Sequence, residues 1–128
     1  MRLLLDTHAF LWAVAEFGGL SSLARKSIQD SRNELFVSAA CAWEIATKFR
    51  IGKLPGALPI LQGFGAILHR LQAVDLPVTR EHALRAGSYK HEHRDPFDRM
   101  LVAQAEIEAL TLVSKDRALR QFGVELLW

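Results

Sequence analysis

The run Arg2-Leu3-Leu4-Leu5 passes directly into Asp6-Thr7-His8. Three successive leucines, with no polar residue alternating between them, read as a short strand buried on both faces. Asp6 ends it, and Thr7 to Ala15 takes up helical spacing before Gly18-Gly19. The same pattern recurs along the chain. Leu35 to Val37 is a buried strand, and Ser38 caps a helix to about Arg50 with Cys41, Ile45 and Phe49 as its inner stripe. Val74 to Val78 is a short strand that Pro77 places near an edge, and Thr79 caps a helix to about Tyr89. Leu110 to Ser114 is a strand, Asp116 to Phe122 a short helix, and Val124 to Leu127 a last strand. Strands that alternate with helices and read as continuous apolar runs define an α/β protein. Its expected core is a mostly parallel sheet of about four to five short strands, covered by helices on both faces.

The intervening segments fit that frame. Ser21 or Ser22 caps a helix through about Ser31, and Gly52 stops the helix that Ser38 begins. Pro55 to Pro59 reads as a loop, and Ile60 to Leu71 is helical despite Gly63 and Gly65. Lys90 to Arg94 is a polar, His-rich loop. Asp95-Pro96, an N-cap acid followed by proline at the first helical position, opens another helix.

At 128 residues, half of them hydrophobic, the chain suits one domain over 1–128. A single cysteine, Cys41, excludes an intrachain disulfide and fits a reducing, cytoplasmic setting. Arg2 and the apolar stretch to Val14 mimic a signal peptide, but Asp6 and His8 interrupt it. No apolar run approaches the roughly 20 residues of a membrane-spanning helix.

Four acids stand where the chain leaves a strand or enters a helix: Asp6, Glu44, Asp98 and Asp116. Taken singly, Asp6, Asp98 and Asp116 are explained as helix caps or first-turn acids. Glu44 has an i,i+4 partner in Lys48, yet its neighbours Cys41, Ala42, Trp43, Ile45 and Ala46 make an unpaired carboxylate there costly. In a parallel sheet the ligand site lies beyond the carboxyl ends of the strands, which brings Asp6, Glu44 and Asp116 to one edge, and the helix start aims Asp98 the same way. Oxygen-only ligands of this number favour Mg²⁺ or Mn²⁺ over zinc. His91-Glu92-His93 lacks partners at zinc spacing and reads as a solvated loop pair. No nucleophile elbow or Gly-rich phosphate loop is present, and Cys41 is a small core residue.

Net charge is only +2, but four acids committed to a metal would leave the rest at +6. Several bases lie beside the acids: Lys48, Arg50 and Lys53 after Glu44, Arg94 and Arg99 around Asp98, Lys115 and Arg117 around Asp116. That suits a polyanion held by its phosphates, and a solvated helix face with ordinary ion pairs explains the charges equally well.

With these residues in view, the chain resembles PIN-domain ribonucleases of the VapC toxin type. The resemblance rests on Leu-Leu-Leu-Asp-Thr-His at 3–8, Ser-Ala-Ala-Cys-Ala-Trp-Glu-Ile-Ala at 38–46, His-Arg-Asp-Pro-Phe-Asp-Arg-Met-Leu-Val-Ala-Gln-Ala at 93–105 and Leu-Val-Ser-Lys-Asp at 112–116. It implies a PIN-like fold and metal-dependent hydrolysis of RNA phosphodiester bonds, with Asp6, Glu44, Asp98 and Asp116 as catalytic and metal-binding acids. Asp95, Thr7 and Ser114 would be accessory, Ser114 standing where threonine is usual. Arg99, Lys115 and Lys48 would contact substrate phosphate. The resemblance also implies a small VapB-like antitoxin as partner and a homodimer, contacts for which Phe10, Trp12, Phe17 and Leu20 are candidates. Two other readings remain at this stage: a PIN-like module that binds RNA or protein without cutting, and a phospho-acceptor signalling domain. For the latter the second strand ends in Ser38 where an acceptor Asp is needed.

Overall fold

A computed structural model describes residues 1–15 and 18–128. Five strands form one sheet in the order β3-β2-β1-β4-β5, and all four pairings are parallel. The strands are β1 (Arg2–Leu5), β2 (Glu34–Ser38), β3 (Ala73–Leu76), β4 (Thr111–Val113) and β5 (Leu126–Leu127). Leu5 pairs with Val37 on one side and Val113 on the other, so the leucine run is the centre of the sheet. Leu3, Leu4 and Leu5 are wholly buried. Successive residues point to opposite faces, so both faces must be covered.

The helices are α1 (Thr7–Val14), α2 (Ser22–Gln29), α3 (Ala39–Arg50), α4 (Leu58–Gln62), α5 (Phe64–Leu71), α6 (Arg80–Ser88) and α7 (Pro96–Glu108), with 3₁₀ turns at Pro55–Ala57 and Arg117–Phe122. Their starts follow the capping residues in the sequence. Asp6, Ser21, Ser38, Thr79, Asp95 and Asp116 each accept a hydrogen bond from a backbone N–H of the first turn that follows.

Three expectations need correction. The Pro55 to Pro59 loop is largely helical, because Pro55 and Pro59 sit in first-turn positions where a missing N–H costs nothing. The helix expected over Ile60 to Leu71 is two helices, broken at Gly63. Phe10 is no contact residue: it is fully buried and stacks on Phe64, ring centroids 5.2 Å apart. Leu20 is half-buried against the core, and Phe17 lies outside the described residues. As Pro77 suggested, β3 is an edge strand.

The chain winds from β1 out to β3 and then returns, through α6 and α7, to β4 on the other side of β1. The strand order therefore reverses between β1 and β4. At such a switch point the connections leave in opposite directions and open a crevice beyond the carboxyl ends of the two strands. No described helix is long and apolar enough to cross a membrane.

Candidate functional site

Asp6 and Ser114 follow the last residues of β1 and β4 and so stand at that crevice. The Asp6 N–H donates to the Val113 carbonyl (3.1 Å), locking the end of β1 to β4. The Asp6 carboxylate accepts from the Ala9 N–H at 2.8 Å and from the Ser114 hydroxyl. Ser114 Oγ in turn accepts the Asp116 N–H at 3.1 Å. One hydroxyl thus ties the first acid to the fourth. Asp6 is only 7% exposed. Burial raises its pKa, and the Glu44 carboxylate adds to this, against the lowering effect of its hydrogen bonds.

Glu44 lies in the second turn of α3 and is 4% exposed. Thr7 donates to its Oε1 at 2.5 Å and Lys48 to its Oε2 at 2.6 Å. The burial suspected from its apolar neighbours is real, and the two donors are what make it tolerable. The same pairing holds the Lys48 ammonium above its ordinary pKa, helped by Asp95 and Asp98 nearby. Cys41, one turn earlier, is inert: burial pushes its thiol up to about 12.

Asp98 is placed by the start of α7. Asp95 Oδ1 caps this helix, accepting the N–H groups of Phe97 (2.9 Å) and Asp98 (3.2 Å). That occupies Asp95 at the helix end and leaves the Asp98 carboxylate for the crevice. Its Oδ2 lies 2.9 Å from His93 Nε2. The Asp98 pKa is raised to about 6, first by desolvation and then by the neighbouring Asp95 and Asp6 carboxylates, against the His93 hydrogen bond.

All four acids, with Asp95, Thr7, Lys48 and Lys115, line one open pocket of about 380 Å³. His8 and Trp12, both on α1, complete the wall. Burial first, and repulsion from neighbouring carboxylates second, raises the Asp6 and Asp98 carboxyls. A divalent cation would relieve that repulsion, and hard oxygen donors are the right chemistry for Mg²⁺ or Mn²⁺. Among the described residues, His93, Asp98 and Asp116 each offer a ligand atom, all within 4.8 Å of one another.

Two expectations about the surrounding side chains fail. Arg99 does not face phosphate. Its guanidinium makes five hydrogen bonds to the carbonyls of Ala86, Tyr89, His91 and His93, at 2.6 to 3.2 Å. Every N–H of the fork is spent on holding the 86–93 turn against α7. The histidine loop is not solvated either. His91 and His93 pack beside the Phe122 ring, centroids 4.5 and 6.0 Å away, and His93 bonds to Asp98. The signal for His93 was its place two residues before Asp95, but loop conformation decides whether such a side chain folds back.

A five-stranded parallel sheet with a carboxylate pocket at its switch point defines an α/β domain with an acidic site, and comparison with known proteins gives the family. Residues 3–125 match the PIN domain model. The chain is 31% identical to ribonuclease VapC22 of Mycobacterium tuberculosis over 118 residues, which is 91% of this chain and 88% of that protein. A shorter match, 54% identical over 35 residues, joins it to ribonuclease VapC16 of the same organism and spans a quarter of that protein's length. Among solved structures, VapBC2 from Rickettsia felis bound to a promoter DNA fragment superposes with a TM-score of 0.73 at 14% identity, covering 99% of this chain and 98% of that one. VapC20 of M. tuberculosis, a toxin that cleaves the sarcin-ricin loop, gives 0.66 at 15% identity, with 95% of both chains covered. At those identities the superpositions establish the fold. The chain belongs to the PIN-domain family, and its sequence relatives are VapC ribonucleases.

Proposed function

We propose that this protein is a divalent-metal-dependent endoribonuclease acting as the toxin of a toxin–antitoxin pair. The observation that carries this is the convergence of Asp6, Glu44, Asp98 and Asp116 in one pocket, two of them almost wholly buried. Acids serving only as helix caps need not meet, and burying them together without a cation is unfavourable.

Asp6, Glu44 and Asp98 would hold Mg²⁺ or Mn²⁺ directly, with Asp116 completing the site from its exposed position. A bound ion there supplies Lewis acidity toward a phosphate oxygen and makes water acidic enough to act as nucleophile near neutral pH. Thr7 and Ser114 orient Glu44 and Asp6 through the hydrogen bonds described above. Lys48 and Lys115, both in the pocket wall, set positive charge against the scissile phosphate. Arg99 is left out of that role, since its donors are committed. Hydrolysis forms a bond from water oxygen to phosphorus and breaks the bond to the 3′ oxygen, leaving a 5′-phosphate and a 3′-hydroxyl.

For partners, we infer a small VapB-like antitoxin, a homodimer of the toxin and a cytoplasmic setting. The antitoxin is supported by solved structures of the same fold that are VapBC complexes, from R. felis, Salmonella typhimurium and nontypeable Haemophilus influenzae.

Cleavage of total RNA by the purified protein with Mg²⁺ or Mn²⁺ tests the reading. Activity is expected to vanish in excess chelator and in Asp6→Asn and Asp98→Asn. Cleavage persisting in both variants would refute it. RNA binding with no cleavage under any metal would point instead to a non-catalytic module.

A further inference from the structure

Trp12 stands apart in the candidate site. It is the one large apolar side chain in the described wall of the pocket, where every other contributor is polar or charged. Among the described residues it is half-buried and is not one of those gathered around the core cluster, whereas Leu11 and Val14 on the same helix are.

Its ring is nonetheless held in place. The centroid of Trp128 lies 5.7 Å away and that of His8, one turn earlier on α1, 5.6 Å. Gly19 provides the most telling constraint. A Cβ there would lie 2.1 Å from Trp12 Cε2 and 2.3 Å from both Cδ2 and Nε1, so the indole rests on the glycine's bare backbone. Gly19 does not have the left-handed φ seen at Gly52 and Gly123. Backbone conformation does not call for glycine at position 19, whereas the seat of the indole does.

We propose that Trp12 is a stacking platform for a nucleobase of the RNA, the base attached to the phosphate held at the acids. The inference rests on the nuclease reading and adds a substrate subsite to it. Asp6 caps the helix that carries Trp12, so acid and indole are fixed to one rigid element. A phosphate at the carboxylates leaves its own base within reach of that wall. Unpaired RNA bases are recognised by stacking on aromatic side chains, an interaction that tolerates any sequence because every base has a π-face. A pre-seated ring loses little freedom when the base arrives.

The test uses adenosine 5′-monophosphate and ribose 5-phosphate, each with Mg²⁺, titrated into the whole protein while the three tryptophan indole N–H signals are followed by NMR. Trp12→Phe assigns the Trp12 signal. Adenosine 5′-monophosphate is expected to bind roughly 10-fold more tightly than ribose 5-phosphate and to shift the Trp12 indole, a shift ribose 5-phosphate does not produce. Trp12→Ala should erase the difference, leaving ribose 5-phosphate affinity in place. Gly19→Ala, which displaces the ring without altering any polar group of the pocket, should do the same. Trp12→Phe should keep most of it. Equal affinities in the wild type, or a shift at the exposed Trp43 instead, overturn the platform. Mg²⁺-dependent binding of both ligands with no difference between them leaves the nuclease reading standing. Absence of binding by either overturns that reading and the platform with it.

Discussion

Asp98 shows how a single residue links site chemistry to stability. Its carboxyl is raised to about 6 from an ordinary 3.8. Between these values the folded protein holds a proton that the unfolded chain has released, so this group makes the metal-free fold less stable as pH rises through that window. Asp98→Asn mimics the protonated acid. In chelator it should melt above the wild type at pH 7, and the advantage should shrink toward zero near pH 4. Thermal melts of the two proteins across that range check the sign. A wild type that gains stability relative to Asp98→Asn as pH rises would contradict it. The sequence identified Asp98 as a first-turn acid and a candidate metal ligand, but not its surroundings. Its partner His93 comes from the loop that Arg99 folds back, its raised carboxyl comes from burial beside Asp95 and Asp6, and no local pattern encodes either.

Elements in this chain are set by their ends. Asp95 accepts two N–H groups at the start of α7, so Asp95→Ala should cost about 1 kcal/mol in chemical denaturation. It should also weaken Mn²⁺ binding by calorimetry, because the cap aims Asp98. Asp95→Ser should restore most of the stability. The other end of α7 departs from expectation. Ala109 takes a left-handed conformation, φ 54°, where glycine is the usual residue. Ala109→Gly should therefore raise stability by about 1 kcal/mol. Strand and cap positions were legible because apolar runs and capping residues act over one turn. The short helices over 55–62 were not, since prolines at first-turn positions and prolines in loops look alike in sequence. His82 was missed for a related reason. Its ring accepts the Thr79 N–H at 3.0 Å and reaches Glu108 on α7 at 2.9 Å, a partner that only the packing of α6 on α7 supplies.

Across the whole molecule, the sheet carries both the stability and the site. Leu112 is wholly buried between β1 and β5, and Leu112→Ala should cost about 2–5 kcal/mol, read as a lower denaturation midpoint. Metal should act on the fold as well as on the chemistry. An ion that binds only the native pocket stabilises in proportion to RT ln(1 + [L]/Kd). Saturating Mn²⁺ is therefore expected to raise the melting temperature of the wild type, and of Asp6→Asn or Asp98→Asn much less. An equal rise in all three would place the metal elsewhere.

By itself, the sequence determined the alternation of strands and helices, the parallel sheet and the four acids at element ends, because apolar runs, caps and turn residues are local. It did not determine that the strand order reverses between β1 and β4, that Ser114 bridges Asp6 and Asp116, that Arg99 serves the backbone, or that Gly19 seats Trp12. Each of these joins residues distant along the chain. Their meeting is decided by which strands pair and which faces must be buried, and that balance of burial against polar satisfaction exists only in the folded molecule.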